Sequence, residues 1–483
     1  MDSSIQKANI YQLHLIDSSV FVYKSLFLNY NSIENKSIYL KAGKSVVAKS
    51  DGNGIIIGVN DKVGAPKAFI LGLQHVLAMD LYIAPIIIAG LLSLTIENTA
   101  FFIQMCFLAT GIATLIQTGA GIKMPVVQGP SYVPIGAIAA IGGKLGLGAI
   151  AGSLIPGAIL VALLGYPLKW FAKAVRKVIP PLVGGTVIII VGIALMPIGL
   201  NNIFLAEGNI GDNIIIASVS AAIVIICMLL GRRLGGLGTF FRLVSVILAI
   251  VGGIVTASFF GTVDFSPVKE AAWFSLPTLL PFGKPIFDMG AIISMIFVYL
   301  IILIETTGTW FVVSSVTGEE LDEKRLNRAS VGEGLGCFAG ALVGSTPMTG
   351  YSSNAGLLAI TGVASRTVIM VSGGILICLG LVPKLSTAIT CIPEPVINGI
   401  FGIVCVAIVT NGMKVIQPIV IDDRNMMVIG IPILLTIAVT VLPKEALATV
   451  PDWANYILSS GITVGALATV LLNLIIPLNK TKE

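Results

Sequence analysis

The sequence predicts an all-α membrane protein with about fourteen transmembrane spans in a seven-plus-seven inverted repeat. Three observations predict this fold class: the apolar composition, the regular recurrence of apolar segments, and a similarity between the two halves of the chain. Of the 483 residues, 56% are hydrophobic and 11% are charged. Soluble domains carry about 25% charged residues, so the composition excludes a soluble fold.

Apolar segments of roughly 20 residues, the length that a helix needs to cross the hydrocarbon core, recur along the chain. The predicted spans are residues 68–90, 98–117, 126–141, 146–165, 179–200, 213–231, 239–260, 287–316, 328–345, 347–362, 366–383, 394–412, 425–442 and 454–477. Residues 1–65 are polar and contain no span. We expect them to form a cytoplasmic extension, partly β within residues 37–59, without the pattern of a cleaved signal peptide.

Lys and Arg residues are concentrated in the even-numbered connections between spans, which predicts that both termini are cytoplasmic. Those connections hold, among others, Lys169, Lys173, Arg176, Lys177, Arg232, Arg233, Arg242, Lys324, Arg325, Arg328 and Arg366. The odd-numbered connections hold only Lys144, Lys269, Lys284, Lys384 and Lys444. Binding to a nucleic acid would need a clustered basic face, and the sequence shows none, so no nucleic-acid partner is expected.

The two halves of the chain resemble each other weakly. IPPLVGGTVIIIVGIA (179–194) and IPEPVINGIFGIVCVA (392–407) share six of sixteen residues at an offset of 213. At roughly 30 residues per span and connection, that offset is about seven spans. Because seven is odd, the second copy enters the membrane in the opposite direction, which predicts the inverted repeat.

Two predicted spans, the third and the tenth, are interrupted by Gly, Pro and hydroxyl residues. The interruptions are PVVQGPSYVPIG (125–136) and PMTGYSSNAG (347–356). Irregular backbone is tolerated at membrane depth only inside protein or beside a polar cavity. A matched pair of such breaks, one in each half, indicates a substrate site at the bilayer midplane of a secondary transporter.

Glu305 lies deep in the apolar run of the eighth span. A charged side chain at the bilayer centre costs at least ~2.5–3.5 kcal/mol, so a carboxyl there usually faces a cavity or a transport pathway. Glu305 is therefore predicted to accept hydrogen bonds from substrate, to carry a proton, or both. The alternative is a neutral glutamic acid that hydrogen-bonds a neighbouring helix for packing.

The broken spans supply further candidates. Ser352, Ser353 and Asn354 open a half-helix, whose free N–H groups suit a planar polar or anionic ligand; the alternative is helix capping. Ser131 and Tyr132 can offer backbone groups and an aromatic face to a flat heterocycle; the alternative is packing.

Other polar residues of the spans are weaker candidates. Gln74 and His75 lie within the first span, where His75 either bridges the two broken segments or titrates as a coupling group. Asp80 is a further candidate acid, although its place near the outer half also fits a solvated carboxylate. The acids near predicted span ends are expected to be interfacial: Glu97, Asp288 and Glu333. Six cysteines without CxxC spacing and only two histidines predict neither disulfides nor a metal centre.

At these residues the chain closely resembles the nucleobase–ascorbate transporter family, the uracil, xanthine, urate and ascorbate permeases, over roughly residues 66–475. The motifs are LGLQHVLAM in span 1, QGPSY in span 3, ETTG in span 8 and SNAGLLAITGVASR in span 10. The last motif matches the family signature at Asn354, Gly356, Thr361 and Gly362. The ETTG motif is more similar to the xanthine and urate branch than to the uracil branch.

The resemblance implies a core domain that moves against a gate domain, short antiparallel strands in spans 3 and 10, and a homodimer. The implied core is 66–165 and 285–383, and the implied gate is 166–284 and 384–483. It also implies substrate contacts at Glu305, Tyr132, Ser352 and Ser353, with Asn354 and His75 shaping the site. Two positions depart from the family pattern: Ser353 replaces a usual Gln or Glu, and Thr309 replaces a usual Asp or His.

We therefore expect a carrier of the plasma (inner) membrane that imports a nucleobase by alternating access, with the proton as coupling ion and no other cofactor. A xanthine- or urate-type purine is favoured, with uracil as the alternative. A passive facilitator of the same fold is a rival, favoured by Thr309 and by the lack of a second buried acid. An anion exchanger of the same architecture is another. An intramembrane enzyme would require a catalytic constellation, and the sequence contains none.

Overall fold

The structure, a computed structural model, describes residues 55–233, 244–442 and 460–477, together with residues 238, 241 and 458. Most of the predicted N-terminal extension therefore lies outside the described residues, as do parts of the seventh and fourteenth predicted spans. Of the predicted β structure in residues 37–59, the described part contains one isolated bridge, between Ile57 and Val363.

The described residues form helices and one small sheet. In the first half the elements are α1 (Ala65–Leu77), α2 (Ile83–Leu91), α3 (Ile96–Gly119), β1 (Gln128–Pro130), α4 (Ile135–Leu145), α5 (Leu147–Gly165), α6 (Phe171–Val178), α7 (Pro181–Leu205), α8 (Ile210–Arg233), α9 (Ser245–Phe259) and α10 (Ser266–Glu270). In the second half they are α11 (Met289–Thr317), α12 (Glu323–Leu342), β2 (Met348–Gly350), α13 (Ser352–Thr361), α14 (Arg366–Leu379), α15 (Pro383–Thr390), α16 (Glu394–Ile416), α17 (Asp423–Thr440) and α18 (Gly461–Ile475).

Seven of the described helices are long and apolar enough to cross a membrane. They are α3, α5, α7, α8, α11, α16 and α17. An eighth span results if α14 and α15, which meet at a bend of 82°, are counted together. The number of fourteen spans stays a prediction, because several predicted spans are built from helices shorter than the bilayer is thick.

The element order repeats between the halves. After each short strand comes a half-helix (α4 or α13), then a longer helix (α5 or α14), a short helix (α6 or α15) and a long helix that starts in a proline-containing turn (α7 or α16). Pro181 begins α7 and Glu394 begins α16, 213 residues apart, which is the offset of the sequence repeat. The structure therefore contains the two-fold repetition that the sequence predicts.

The first predicted span, 68–90, is not one helix. The chain leaves helical geometry between Leu77 and Ile83, where Asp80 lies and where its backbone carbonyl accepts a hydrogen bond from the Ile83 amide (3.1 Å). The prediction of an uninterrupted span was wrong because a hydropathy pattern records apolar side chains. It does not show that the segment between Leu77 and Ile83, which contains a buried carboxyl, is not helical.

The helices pack in two groups. One contains α1, α3, α5, α12 and α14, and the other contains α7, α8, α9, α16, α17 and α18. The long helix α11 contacts α5 of the first group and α7 of the second. Residues carried by α11 therefore lie where the two groups meet.

The contact between α7 and α16 depends on glycines. A Cβ added at Gly185 would lie 2.9 Å from the carbonyl oxygen of Gly412, and one added at Gly412 would lie 2.7 Å from that of Gly185. Both separations are shorter than a carbon–oxygen contact permits. The two backbones can approach this closely because neither position carries a side chain, as is common where helices pack in membranes.

We predict that Gly412→Ala destabilises the protein and that Gly402→Ala, on the same helix, does not. The added methyl at position 412 would also lie 2.8 Å from the Ile189 amide, so α7 and α16 must move apart. Overpacking of this kind costs about 1–3 kcal/mol. Nothing lies within 4 Å of the equivalent point at Gly402. Thermal unfolding of both purified variants measures the difference, and equal melting temperatures would contradict this packing.

Candidate functional site

The two broken segments meet as a pair of antiparallel strands. Gln128 pairs with Gly350, Gly129 with Thr349, and Pro130 with Met348. The pairing continues past the strands, because the Ser131 amide donates to the Pro347 carbonyl (2.9 Å) and the Tyr351 amide donates to the Val127 carbonyl (3.0 Å). The predicted strands in spans 3 and 10 are thus confirmed, and each satisfies backbone groups that the missing helical turns leave open.

Tyr351 closes one face of the strand pair. Its hydroxyl donates to the Pro130 carbonyl (3.0 Å), and its ring lies so close to Gly129 that an added Cβ there would be 2.3 Å from Cε2. Only glycine fits at position 129 beside this ring. Tyr351 was not among the residues predicted from the sequence, although its position directly before the serines of α13 was a signal for it.

Helix α11 holds the second strand through two threonines. The Gly350 amide donates to the Thr306 hydroxyl (3.0 Å), and the Thr309 hydroxyl donates to the Gly350 carbonyl (2.9 Å). Thr307, between them, donates back to the Leu303 carbonyl of its own helix (2.5 Å). Thr309, which departs from the family pattern, therefore stabilises the backbone of the break and gives Glu305 no ionisable partner.

Glu305 faces the first broken segment. Its side chain is buried, with 8% exposed, and its Oε2 accepts a hydrogen bond from the Ser131 hydroxyl (3.0 Å). The same hydroxyl accepts from the Val133 amide (3.2 Å). The structure thus brings together the predicted acid on α11 and the predicted serine of the third span. The next residue of α11, Thr306, bonds the second broken segment.

Tyr132, next to Ser131, is bonded to a second buried acid. Its hydroxyl donates to a carboxyl oxygen of Asp80, and its ring lies 5.8 Å from that of Phe401 on α16, at an angle of 32°. Asp80 is 9% exposed, so the interpretation as a solvated carboxylate was wrong. Successive residues of the first break are therefore tied to Glu305 and to Asp80. Phe401 was not identified from the sequence.

Asn354 connects the two breaks directly. Its side-chain amide donates to the Pro125 carbonyl, 2.7 Å away and at the start of the first broken segment. His75 is buried beside Asn354. Within the described residues the bond between the two broken segments is made by Asn354, and the roles predicted for His75 stay predictions. Gln74 is half-buried in the last turn of α1, and its backbone carbonyl accepts from the Ala78 amide (3.1 Å).

The half-helix α13 begins at the two predicted serines. Ser352 accepts a hydrogen bond from the side-chain amide of Asn411 on α16 (3.1 Å), and the Lys414 ammonium lies 3.5 Å from the other end of that amide. The Ser353 hydroxyl oxygen is buried and has no partner within the described residues. Asn411 was not identified from the sequence. It carries a polar contact from the second helix group to the start of α13.

Glu333 is a third buried acid, and the prediction of an interfacial position was wrong. It is 2% exposed, and its Oε2 accepts from the Gln117 side chain (2.9 Å). Gln117 also donates to the Ala329 carbonyl (3.0 Å), joining α3 to α12. Hydropathy could not show that Glu333 is buried. The small residues around Glu333 lower the local hydropathy and suggest a span end, although the helix is tightly packed there. The argument for a passive facilitator from the lack of a second buried acid therefore fails.

Hydroxyl and amide groups, rather than cations, surround these acids. The ion pairs found within the described residues are Arg176–Glu323 (2.6 Å) and Arg325–Glu319 (2.9 Å), and neither involves a buried acid of the site. In the same part of the chain no group of three or more His, Cys, Asp or Glu side chains could hold a metal ion. The arrangement is suited to hydrogen bonding with a neutral or weakly charged polar molecule.

A small apolar cavity of about 30 Å³ lies elsewhere in the fold. Its lining includes Phe102, Leu154 and Phe282 and none of the candidate residues described above. A polar ligand would lose its hydrogen bonds to water there and gain few in return. The polar site at the two breaks is therefore the better candidate.

Comparison with known proteins gives consistent matches. The sequence profile Xan_ur_permease, described as "Permease family", matches residues 66–445. The uric acid permease PucK of Bacillus subtilis (strain 168) is 31% identical over 426 residues, which are 86% of this chain and 96% of that protein. The xanthine permease of the same organism is 32% identical over 423 residues, 85% of this chain and 94% of that protein.

The fold also matches a solved structure. The transmembrane domain of a cyanobacterium bicarbonate transporter BicA aligns with a TM-score of 0.59 at 15% identity, over 80% of this chain and 98% of that one. At this identity the likeness shows the fold alone. It confirms the predicted fold class, a helical membrane protein with a seven-plus-seven inverted repeat.

We predict that Thr309→Val lowers the stability of the protein more than Thr307→Val. Both side chains are buried and both substitutions keep the volume nearly constant, but only Thr309 bonds the strand backbone. Removal of the Thr309 hydroxyl leaves the buried Gly350 carbonyl without this hydrogen-bond donor, at a cost of about 1–3 kcal/mol of folding free energy. Thermal unfolding of the two variants measures the effect, and a larger loss for Thr307→Val would show that α11 does not hold β2 in this way.

Proposed function

The chain belongs to the Xan_ur_permease family of permeases, and we propose that it imports an oxopurine of the xanthine or urate type across the plasma membrane. Membership follows from the profile match and from relatives above 30% identity. It confirms the resemblance read from the motifs, and it makes the chain an integral membrane permease rather than an enzyme. The names of the relatives, uric acid permease and xanthine permease, support the proposed substrate class.

The observation that carries the proposal is the position of Glu305. A carboxyl can accept two hydrogen bonds from adjacent N–H groups, which a planar oxopurine presents on one edge. Glu305 lies 3.0 Å from the hydroxyl of the first break, and the next residue of its helix bonds the second break. We propose that the purine binds between the breaks with its N–H edge toward this carboxyl.

The opposite edge of the purine would meet the start of α13. The first N–H groups of a helix form a site for carbonyl oxygens and anions, and no side chain caps this end of α13. Ser352 and Ser353 add hydroxyl groups there. Ser353 is shorter than the Gln or Glu usual at its position, so we propose that the Asn411 amide, already bonded to Ser352, compensates with a contact from α16.

Tyr132 would form a wall of the site. Its hydroxyl is held by Asp80 and its ring lies against Phe401, so the ring has a fixed orientation when the purine arrives. A fixed aromatic face favours stacking on a flat heterocycle, because little side-chain entropy remains to be lost.

We further propose that the two helix groups are the core and gate domains, and that their relative movement gives alternating access. The packing of α3, α5, α12 and α14 apart from α7, α8, α9 and α16 supports the division. The site lies at the boundary, since Phe401 and Asn411 of α16 contact the first and second breaks respectively. Such contacts would change as the groups move.

Proton coupling is also proposed. Glu305, Asp80 and Glu333 are buried acids without cationic partners among the described residues, and a buried carboxyl can gain or lose a proton as its surroundings change. The cytoplasmic location of both termini, predicted from the Lys and Arg distribution, and a homodimeric state complete the proposal.

The substrate class is tested by competition. We expect unlabelled xanthine and urate to displace radiolabelled xanthine from cells expressing the protein at concentrations at least about tenfold lower than uracil or ascorbate, since the proposed site would bond the purine both at Glu305 and at the start of α13. Guanine and hypoxanthine test the exocyclic groups. Stronger competition by uracil than by either oxopurine would contradict the proposal.

Glu305→Gln tests the role of the acid in accumulation. The amide keeps the shape of the side chain but cannot carry a proton and turns one acceptor into a donor. We expect concentrative uptake to be abolished. In cells with the unmodified protein, a proton ionophore should collapse accumulation to the external concentration.

The matched control is Glu320→Gln, on the exposed connection after α11, which removes the same charge outside the site. It should accumulate substrate normally. Near-normal, ionophore-sensitive accumulation by Glu305→Gln would rule out the assigned role.

A further inference from the structure

Helix α6 lies at the membrane surface for a geometrical reason. It falls between α5 and α7, two helices that each meet the requirements of a membrane span. The connection 166–180 must therefore start and end at the same face of the bilayer. The Lys and Arg distribution predicts that this is the cytoplasmic face.

One face of α6 is packed against the protein. Phe171 and Val175 are buried, and the Phe171 ring meets the Trp310 ring edge-on at 6.0 Å. The Ala172 amide donates to the Asn327 side chain (3.0 Å), and Arg176 pairs with Glu323 (2.6 Å). The helix is thus fixed, and its orientation around its own axis is determined.

The opposite face carries a row of cations. Lys173 and Lys177 are one helical turn apart, Lys169 precedes them by the same spacing, and all three are exposed. At 3.6 residues per turn Lys173 and Lys177 fall on the side of α6 turned away from Phe171 and Val175, and Lys169 lies in the segment that precedes the helix. Within the described residues none of the three lysines has an acidic partner. Glu323, the acid that contacts α6, forms its ion pair with Arg176.

Trp170, the residue directly before α6, is 58% exposed. Trp is the residue type that favours the headgroup region, because its ring is apolar and its N–H is polar. A fixed helix that presents lysines and an unburied Trp at the bilayer surface is complementary to negatively charged headgroups.

We propose that Lys169, Lys173 and Lys177, with Trp170, form a binding surface for anionic phospholipids. The phosphate groups of the lipids contact the lysines, and Trp170 enters the headgroup region beside them. Near an anionic membrane surface each lysine strengthens association by about fivefold. The surface would retain anionic lipid next to the segment that joins α5 of one helix group to α7 of the other.

Trp170 itself provides the measurement. The full chain is reconstituted into phosphatidylcholine vesicles that contain an equal minor fraction of either brominated phosphatidylglycerol or brominated phosphatidylcholine. Bromine quenches tryptophan on contact, and subtracting the signal of Trp170→Phe isolates this residue. We expect brominated phosphatidylglycerol to quench Trp170 with an apparent association at least about fivefold stronger than brominated phosphatidylcholine.

The combined variant Lys169→Gln, Lys173→Gln and Lys177→Gln should lose this preference, and the corresponding Lys→Arg variant should keep it. The matched control is Lys62→Gln, Lys67→Gln and Lys324→Gln, which removes the same charge from exposed lysines outside α6 and should also keep it. Thermal unfolding confirms that each variant is folded. Equal quenching by the two lipids in the unmodified protein, or a preference that survives the Gln variant, overturns the proposal. No substrate enters the measurement, so its outcome is independent of the transport proposal.

Discussion

Backbone hydrogen bonding at membrane depth is the constraint on which the rest of the structure depends. Two spans stop being helical near the middle of the chain's two halves, and every amide and carbonyl released there needs a partner inside protein. The strands pair with each other, and the remaining groups of Gly350 are taken by Thr306 and Thr309. Asn354 bonds the Pro125 carbonyl. The two breaks are stable because the backbone of each broken segment supplies hydrogen-bond partners to the backbone of the other.

The same arrangement creates the site. Because α11 must lie against the strands to satisfy Gly350, its Glu305 is brought within 3.0 Å of Ser131. The second strand leads directly into the half-helix α13, whose first turn is capped by no side chain. We propose that a polar planar molecule meets an acceptor at Glu305 and donors at the start of α13, so that the interruption of the two helices also provides the binding site.

Sequence reasoning predicted the features that local chemistry determines. Gly, Pro and hydroxyl residues in apolar surroundings identified both breaks, and Glu305 stood out because a carboxyl is costly in a membrane. It missed the features that depend on distant partners. Asp80 lies in the break of the first span and bonds Tyr132, Glu333 is buried against Gln117, and Asn411 contacts Ser352 from the other helix group.

Those misses share a cause. Hydropathy and spacing describe one segment at a time, whereas the burial of an acid depends on which amide or hydroxyl the fold brings to it. Gln117 and Glu333 are 216 residues apart in sequence, and no pattern in either segment predicts that the two side chains are in contact. The weak internal repeat predicts the topology of the two halves, whereas the contacts between the halves depend on the three-dimensional packing of distant segments.

The most direct measurement is an experimental structure of the protein with xanthine bound. A purine whose ring N–H groups donate to the Glu305 carboxyl, with its far edge toward the first turn of α13, is the predicted result. A purine seated in the apolar cavity beside Phe282, with the Glu305 carboxyl still bonded to Ser131 and making no contact with the purine, would contradict the account.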